Sequence, residues 1–461
     1  MTSTVTRFRI PGGPRKDARK TGPIPIPQGY VLASERTMRP LPFPLLLLGL
    51  FGLLCVTPGE AGANGQTTHV WITEQALLDL EEGELATLLR SPKMRPPLLN
   101  GAMFPDGGYA VNDGYGEIAH WEPFQQAYLQ WIRTTFSPPW DQGEAAEHVA
   151  FLMGLGSHGM ADEVFDSLFM ERSRIYDPGW DGGTSNLDTA SDVLFAAEVG
   201  GVVPPDPWLP IEVVIPLFNE QLGYPVEAAT IESGHNLLFS ALAYTEWGRT
   251  NEERLATFRK EFPWTADNLS NLDVPGSPFR EARVIARYWE DLWIRLHEPE
   301  VWSAPVLEVV PARGSAAHPT DSLLVEARLH LSFSRGVEDE SLSAISVHDG
   351  AGNPLPVEVE HHYGNFSHAV HVLPSQDWPL NETVELRIAA GITNFDGVDS
   401  VEDWTASFST GPAFTASPSD CGCNGNGSRP SLPPILLLCP LFGWLVMRRS
   451  GSSRYRVAEL S

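Results

Sequence analysis

The chain has 461 residues, 42% apolar and 10% aromatic, which is enough for more than one folded domain and excludes disorder or a fibrous repeat as a description of the whole. Asp and Glu total 58 against 31 Lys and Arg, and the basic residues gather at the ends, so that residues 41–419 hold 18 basic and 54 acidic side chains, a net of −36. Such a region repels a nucleic-acid backbone unless metal ions mediate the contact, so the charge by itself does not decide against a nucleic-acid substrate, although none is expected in the leading reading below.

In chain order, residues 1–63 read as a targeting region. The apolar run PLPFPLLLLGLFGLLCV at 40–56 follows Arg36 and Arg39 and precedes Ala61-Gly62-Ala63, the layout of a secretory signal with an A-x-A cleavage site, so a mature chain beginning at Asn64 is expected. The Pro- and Arg-rich stretch before it is long for a signal, which makes Met38 an alternative start. Cys55 follows Leu54 rather than a small residue, against a lipoprotein site. The other cysteines are Cys421, Cys423 and Cys439, so the region between the ends can hold no disulfide, Cys-ligated zinc or Cys nucleophile.

Residues 64–302 carry helical periodicity, with breaks at Pro138-Pro139 and over Pro204 to Pro210. Glu144 to Arg172 reads as one long helix, EAAEHVAFLMGLGSHGMADEVFDSLFMER, in which His158, Asp162 and Asp166 fall at i, i+4 and i+8 on one face. Carboxylates and an imidazole among apolar residues are costly to bury without a cation, and Gly154, Gly156, Ser157, Gly159 and Ala161 suit close packing rather than exposure. Spacing alone leaves a metal site and a solvated acidic face both open. His69 before a helix, Asp106 in a Pro/Gly turn and His120 where a helix begins are further potential ligands. His148 and His235 read as packing or capping residues, whereas Trp121 and Tyr115 either line a cleft or fill the core.

From 303 to 412 the period changes to two. Leu323-Leu324-Val325, Leu329 to Phe333, Val357 to Val359, Val370 to Val372, Val384 to Ile388 and Trp404 to Phe408 alternate between turn signals at Asp349-Gly350 and Asp396-Gly397, which predicts a small β-sandwich. His361, His362, His368 and His371 are expected on its solvent face, with a metal site as the alternative. The ending WTASFSTG resembles bacterial Ig-like modules. Residues 413–430 read as a linker and 431–461 as a hydrophobic sorting or anchor segment. Its apolar run Leu432 to Met447 spans roughly 24 Å, short of a ~30 Å hydrocarbon core. A Cys pair, a short apolar run and Arg448-Arg449 in that order resemble myxobacterial-type C-terminal sorting signals; a plain single-span anchor is the alternative.

The strings THVWITEQAL, PD at Pro105-Asp106, HWEPF from His120 and AFLMGLGSHGMAD ending at Asp162, in that order and approximate spacing, resemble the zinc-dependent phospholipase C superfamily, and within it the glycosylphosphatidylinositol-specific phospholipase D catalytic domains, across nearly all of residues 64–300. The resemblance implies an all-α metal-dependent domain followed by the all-β Ig-like sandwich. In that pattern Asp106, His120, His158 and Asp162 hold one zinc. Asp162 bridges to a second, which His69 and the amine and carbonyl of Asn64 complete. The family's third zinc uses His, His and an acid; here the positions are Asp166, Asp188 and Asp192. Three carboxylates form a harder donor set, better suited to Ca2+, Mg2+ or Mn2+.

The implied activity is metal-activated hydrolysis of a phospholipid or glycosylated phosphoinositide by an exported, surface-displayed phosphodiesterase, with Asp106 as the candidate general base. The partners are a membrane-surface substrate and the export and sorting machinery. An extracellular single-strand nuclease, which shares this metal pattern, and a surface binding protein weakened in catalysis by the altered third site are the alternatives.

Overall fold

A computed structural model describes residues 64–180, 185–313, 321–365 and 367–411. The predicted signal, Cys55, the Cys421-Cys423 pair and the C-terminal apolar run lie outside the described residues. Among the described residues no helix is long and apolar enough to cross a membrane.

The N-terminal region is helical. The helices that build the site are α1 (Gln66–Asp79), α2 (Arg95–Met103), α3 (Asp106–Ala110), α4 (Tyr115–His120), α5 (Glu122–Thr135), α6 (Gly143–Val164), α7 (Ser185–Val199), α8 (Ala228–Gly248) and α9 (Pro278–His297), with further helices and turns between them. Helix α6 is buried from Val149 to Val164, with His158, Asp162 and Glu163 the polar side chains taken in among its small and apolar residues. Its glycines let neighbours approach at backbone distance. A Cβ at Gly154 would sit 2.1 Å from the Leu98 carbonyl on α2, and one at Gly159 would sit 2.3 Å from the His120 carbonyl at the end of α4. The absence of side chains therefore lets α2 and the end of α4, which carries the candidate ligand His120, pack directly onto α6. Helix α9 closes the other side, with the Trp289 indole donating to the Met153 carbonyl at 2.6 Å and the Tyr288 hydroxyl donating to Gln125 at 2.7 Å.

The long helix expected to run to Arg172 is interrupted. After Val164 the chain makes wide π turns over Phe165–Met170 before returning to α-helix at Glu171–Tyr176. Extra residues per turn rotate the helix faces beyond Val164, so Asp166 leaves the strict i, i+4, i+8 row.

The C-terminal region has two four-stranded sheets of antiparallel pairs: β1 (Val306–Val310), β2 (Leu329–Phe333), β6 (Ala369–Pro374) and β5 (Val357–His361) in one, and β4 (Pro354–Leu355), β3 (Ile345–His348), β7 (Thr383–Ile388) and β8 (Trp404–Ser409) in the other, each in spatial order. Leu331, Phe333, Val347, Val370, Val372, Val384 and Leu386 fill its core. The run Leu323-Leu324-Val325, expected as strand, lies in a helix at Asp321–Ala327; three apolar residues in a row fit either period.

The histidines correct a larger expectation. Strand β2 is buried on both faces, and His330, His368 and His371 are buried rather than solvent-facing. The helical region covers the outer face of the first sheet. Arg172 pairs with Glu326 at 2.9 Å, and Arg328 donates to the Ser167 carbonyl at 2.8 Å. Strict alternation tells which side chains share a face but not whether that face meets water.

Candidate metal centre

The centre forms where α1, α3, the end of α4 and α6 converge. His69 lies in the first turn of α1, whose free amide donors are satisfied from a distance: the Asp192 carboxylate on α7 accepts from the Thr68 amide at 2.7 Å, the Thr68 hydroxyl at 2.8 Å and the Thr67 amide at 3.4 Å. The Thr245 hydroxyl on α8 donates to it as well, at 2.7 Å. Asp192 thus fastens the helix that carries His69.

Two groups of ligand-type atoms lie close together, His69 with His158 and Asp162, and Asp106 with His120 and His158. His69 Nε2 stands 3.1 Å from Asp162 Oδ1, while His120 Nε2 and His158 Nε2 each stand 3.3 Å from Asp162 Oδ2. Asp106 Oδ1 is 3.3 Å from His120 Nε2 and 3.7 Å from His158 Nε2. Asp162 therefore faces both groups, one oxygen to each side. His69 and His158 stack with ring centroids 3.9 Å apart.

The tautomers follow from the backbone. His120 Nδ1 lies 2.6 Å from the Gly116 carbonyl and His158 Nδ1 lies 2.7 Å from the Ala102 carbonyl, and a carbonyl can only accept, so both Nδ1 atoms carry hydrogen. Both Nε2 atoms then present lone pairs in the neutral rings, yet they face one another at 2.9 Å. Two acceptors at that distance repel unless a positive charge, a proton or a metal ion, sits between them. Fixing Nδ1–H on a carbonyl is how proteins orient a metal-binding imidazole.

The electrostatics show the same demand for positive charge. Burial alone would lower His120, but hydrogen bonds with Asp106 and Asp162 and their charges outweigh it and lift its pKa to about 10. His69 is raised despite burial, chiefly by Asp162. His158 is lowered, by burial and then by the neighbouring His69. Burial opposes ionisation of Asp162, yet the charges of His158 and His69 hold it well below the usual carboxylate range. Both nitrogens of His69 and both oxygens of Asp162 are buried without a properly directed hydrogen bond. These donors fit a pair of borderline cations that share a carboxylate, and imidazole with carboxylate is a donor set that suits zinc.

The remaining candidates separate. Asn64 is buried beside the centre, and its side-chain amide donates to Glu281 at 3.1 Å. Asp166 is buried next to Asp162 and accepts from the Tyr363 hydroxyl of the β region. Asp188 is half-buried on α7 and belongs to neither ligand group, and Asp192 is spent on α1. None of Asp166, Asp188 and Asp192 belongs to either close group of ligand-type atoms. His148 accepts or donates with the Tyr128 hydroxyl at 2.8 Å, Tyr115 is fully buried, and burial pushes His235 down to about 4.

Three residues here escape the motif reading. Gln66 donates to Asp106 Oδ2, Glu281 stands fully buried beside Asn64, and Tyr363 arrives from the β region. Only Glu281 left a trace, as a carboxylate on the apolar stripe that Ile285 and Trp289 continue along α9.

No family model matches the chain. It is similar to the phosphatidylinositol-glycan-specific phospholipase D of Bos taurus, 33% identical over 134 residues, which are 27% of this chain and 16% of that protein. The Rattus norvegicus protein of the same name is 30% identical over 163 residues, 34% of this chain and 19% of that one; the Dictyostelium discoideum one is 36% identical over 127 residues, 27% and 13%. The chain spans less than a fifth of the length of these relatives. Among solved structures, surface layer protein SbsC, domains 1–6, covers 63% of this chain and 40% of its own at 11% identity, but its TM-score of 0.20 carries no argument. The similarity to phosphatidylinositol-glycan-specific phospholipase D is thus partial, confined to about a third of this chain.

Proposed function

We propose that the protein is an exported, zinc-dependent phosphodiester hydrolase of the phospholipase C-like type, acting on phospholipid or glycosylated phosphoinositide at a membrane surface. The observation that carries the reading is the pair of imidazole Nε2 atoms facing at 2.9 Å with Asp162 between two ligand groups. His69, Asp106, His120, His158 and Asp162 would hold two cations, with Asn64 at the edge of the second, and the β region is read as an Ig-like module.

When bound, the cations supply neutralisation of the phosphate and a lowered pKa for an attacking water. The chain's own residues do the rest. Asp106 is the one carboxylate of the cluster with partial solvent access, 16% exposed at its side chain against 3% for Asp162, so it can meet a water and accept its proton. Gln66 orients it by donating to Oδ2, leaving Oδ1 toward the histidines. The Gly116 and Ala102 carbonyls hold the two imidazoles with Nε2 inward. The deep placement of His69, His158 and Asp162 excludes bulk water, which strengthens every charge interaction inside.

The test is elemental analysis of secreted protein together with turnover of phosphatidylcholine, a glycosylated phosphoinositide and single-stranded DNA. Two zinc ions and lipid turnover support the reading. Protein that acquires no metal, or that cleaves only single-stranded DNA, overturns it.

A further inference from the structure

The β region touches the centre more closely than a linked module needs to, and it does so at three places. Glu163, the residue after Asp162, turns away from the ligand groups and its Oε2 accepts from the Ser367 hydroxyl at 2.8 Å, the His368 amide at 2.9 Å and the Ala369 amide at 3.0 Å. Glu122, two residues after His120, accepts from the Gly336 amide at 2.5 Å and lies 3.4 Å from His368 Nε2, while Arg295 donates to its other oxygen at 2.6 Å. Asp166 accepts from the Tyr363 hydroxyl. Ser367, His368, Ala369 and Tyr363 all belong to the hairpin that joins β5 to β6.

These contacts have one geometry in common. In each ligand-bearing segment, His120-Trp121-Glu122 and Asp162-Glu163, the β region grips a glutamate that lies just beyond the ligand in sequence. The grips on Glu122 and Glu163 are buried, where a carboxylate left without its donors is strongly disfavoured. Tyr363 differs: the residue is 43% exposed overall, and its ring lies 5.0 Å, centroid to centroid, from that of Trp121, whose own neighbour His120 is a ligand candidate. Trp121 in turn donates to Glu117 at 2.8 Å, as does Tyr109, whose ring lies 4.9 Å from that of His120. Tyr363 therefore stands at the solvent edge of the centre with its hydroxyl turned inward.

We infer that the β5–β6 hairpin is a positioning element of the metal centre, and that Tyr363 at its tip holds Asp166 in one orientation beside Asp162 while walling, with Trp121, the approach to His120. Asp166, the one carboxylate in the widened π segment, is thus held from outside the helical region. The group esterified to the phosphate meets the faces of Trp121 and Tyr363, so the β region has a share in choosing it. The inference rests on the metal-centre reading and adds to it a residue that the helical region does not supply.

The experiment uses the full chain, with Tyr363→Phe, Tyr363→Ala and Glu163→Gln, and two sets of readouts. The first is independent of turnover: Co2+ stoichiometry, the visible spectrum of the Co2+ form, and its affinity for inorganic phosphate. The second is the kcat and KM split on phosphodiesters with a small and a bulky esterified group. Tyr363→Phe is expected to keep its Co2+ stoichiometry and thermal midpoint but to shift the Co2+ spectrum and lose about tenfold in kcat with KM little changed, the loss of one hydrogen bond to a charged acceptor. Tyr363→Ala is expected to change also the KM ratio between the small and bulky substrates, and Glu163→Gln to resemble Tyr363→Phe in its spectrum. If Tyr363→Phe, folded and with normal Co2+ content, matches the wild type in spectrum, phosphate affinity and kcat, the hairpin is ordinary packing and the inference is overturned. Wild-type protein that takes up no Co2+ would instead overturn the metal-centre reading, and the hairpin's role with it.

Discussion

The molecule buries two clusters of histidines, and their surroundings are opposite. In the helical region His69, His120 and His158 lie against Asp106 and Asp162, with the Nδ1 atoms of His120 and His158 turned to carbonyls. In the β region His330, His371 and the half-buried His362 form two ring pairs with centroids 5.3 Å apart, His330 with His371 and His362 with His371, and arginines led by Arg328 dominate their surroundings, with Glu171 3.8 Å from His362. Burial, then Arg328, pushes His330 and His371 well below the usual imidazole range and His362 down to about 3. Burial is common to both clusters, so burial cannot be what makes a histidine a ligand. The carboxylates decide: they create a demand for positive charge in one cluster, and the arginines remove any such demand from the other.

The comparison breaks most visibly at the shared carboxylate. Asp162→Ala is expected to abolish metal uptake at both groups and lower turnover by more than ~100-fold, beyond the range seen when only a ligand's supporting partner is lost. Elemental analysis beside a phosphodiester assay checks it, and full metal content in the variant would make the helical cluster as inert as the other. His371→Leu, by contrast, should leave metal content and turnover unchanged.

A smaller effect is expected at the edge of the second ligand group. If Asn64 contributes its amine after signal removal, a Met or affinity tag placed before it should cost one metal ion and most of the turnover, and protease cleavage that exposes Asn64 should restore both. Equal zinc content with and without the extension would confine the centre to side chains.

Acid sharpens the contrast. The β cluster is neutral in the folded state, while the unfolded chain takes up its protons near the ordinary value of about 6.5. A depressed imidazole therefore contributes stability that is fully present above about pH 6.5 and is lost as the pH falls toward 3, where His362 titrates. Thermal midpoints measured between about pH 7 and 4 should fall, and His371→Leu should flatten that fall. At the candidate metal centre protons compete with a cation for the imidazoles, so metal affinity is expected to fall as the pH falls.

The mildest change is predicted at Asp192. Its four donors come from α1 and α8, so Asp192→Ala should cost about 1–2 kcal/mol, the magnitude of a lost helix cap, and lower the melting temperature by several degrees with zinc content preserved. Loss of a metal ion with unchanged stability would return Asp192 to the ligand set. Asp166→His with Asp188→His should leave zinc content unchanged for the same reason, because those positions belong to neither ligand group.

What was legible in the sequence is what local pattern encodes. Helical spacing put His158 and Asp162 on one face of α6, and the small residues around them announced close packing, because a glycine's effect is local and steric. The change of period near residue 303 marked the passage from helices to sheets. Other features depend on contacts between residues far apart in the chain. Leu323-Leu324-Val325 was too short a run to choose between periods, and the π turns at Phe165–Met170 carry no signature in residue type. Whether His330 and His371 meet water was decided by the helical region lying across their sheet, a fact that no strand pattern contains. Asp192 shows the limit most plainly. Its residue type and its spacing from Asp188 suit a ligand, but the amides of Thr67 and Thr68 and the hydroxyls of Thr68 and Thr245, distant in sequence on either side, claim its oxygens. By itself the sequence determined which residues could bind a cation and on which helix they ride; the tertiary structure alone decided which carboxylates face the histidines and which are spent elsewhere, because a carboxylate's role is set by whichever donors reach it first in space.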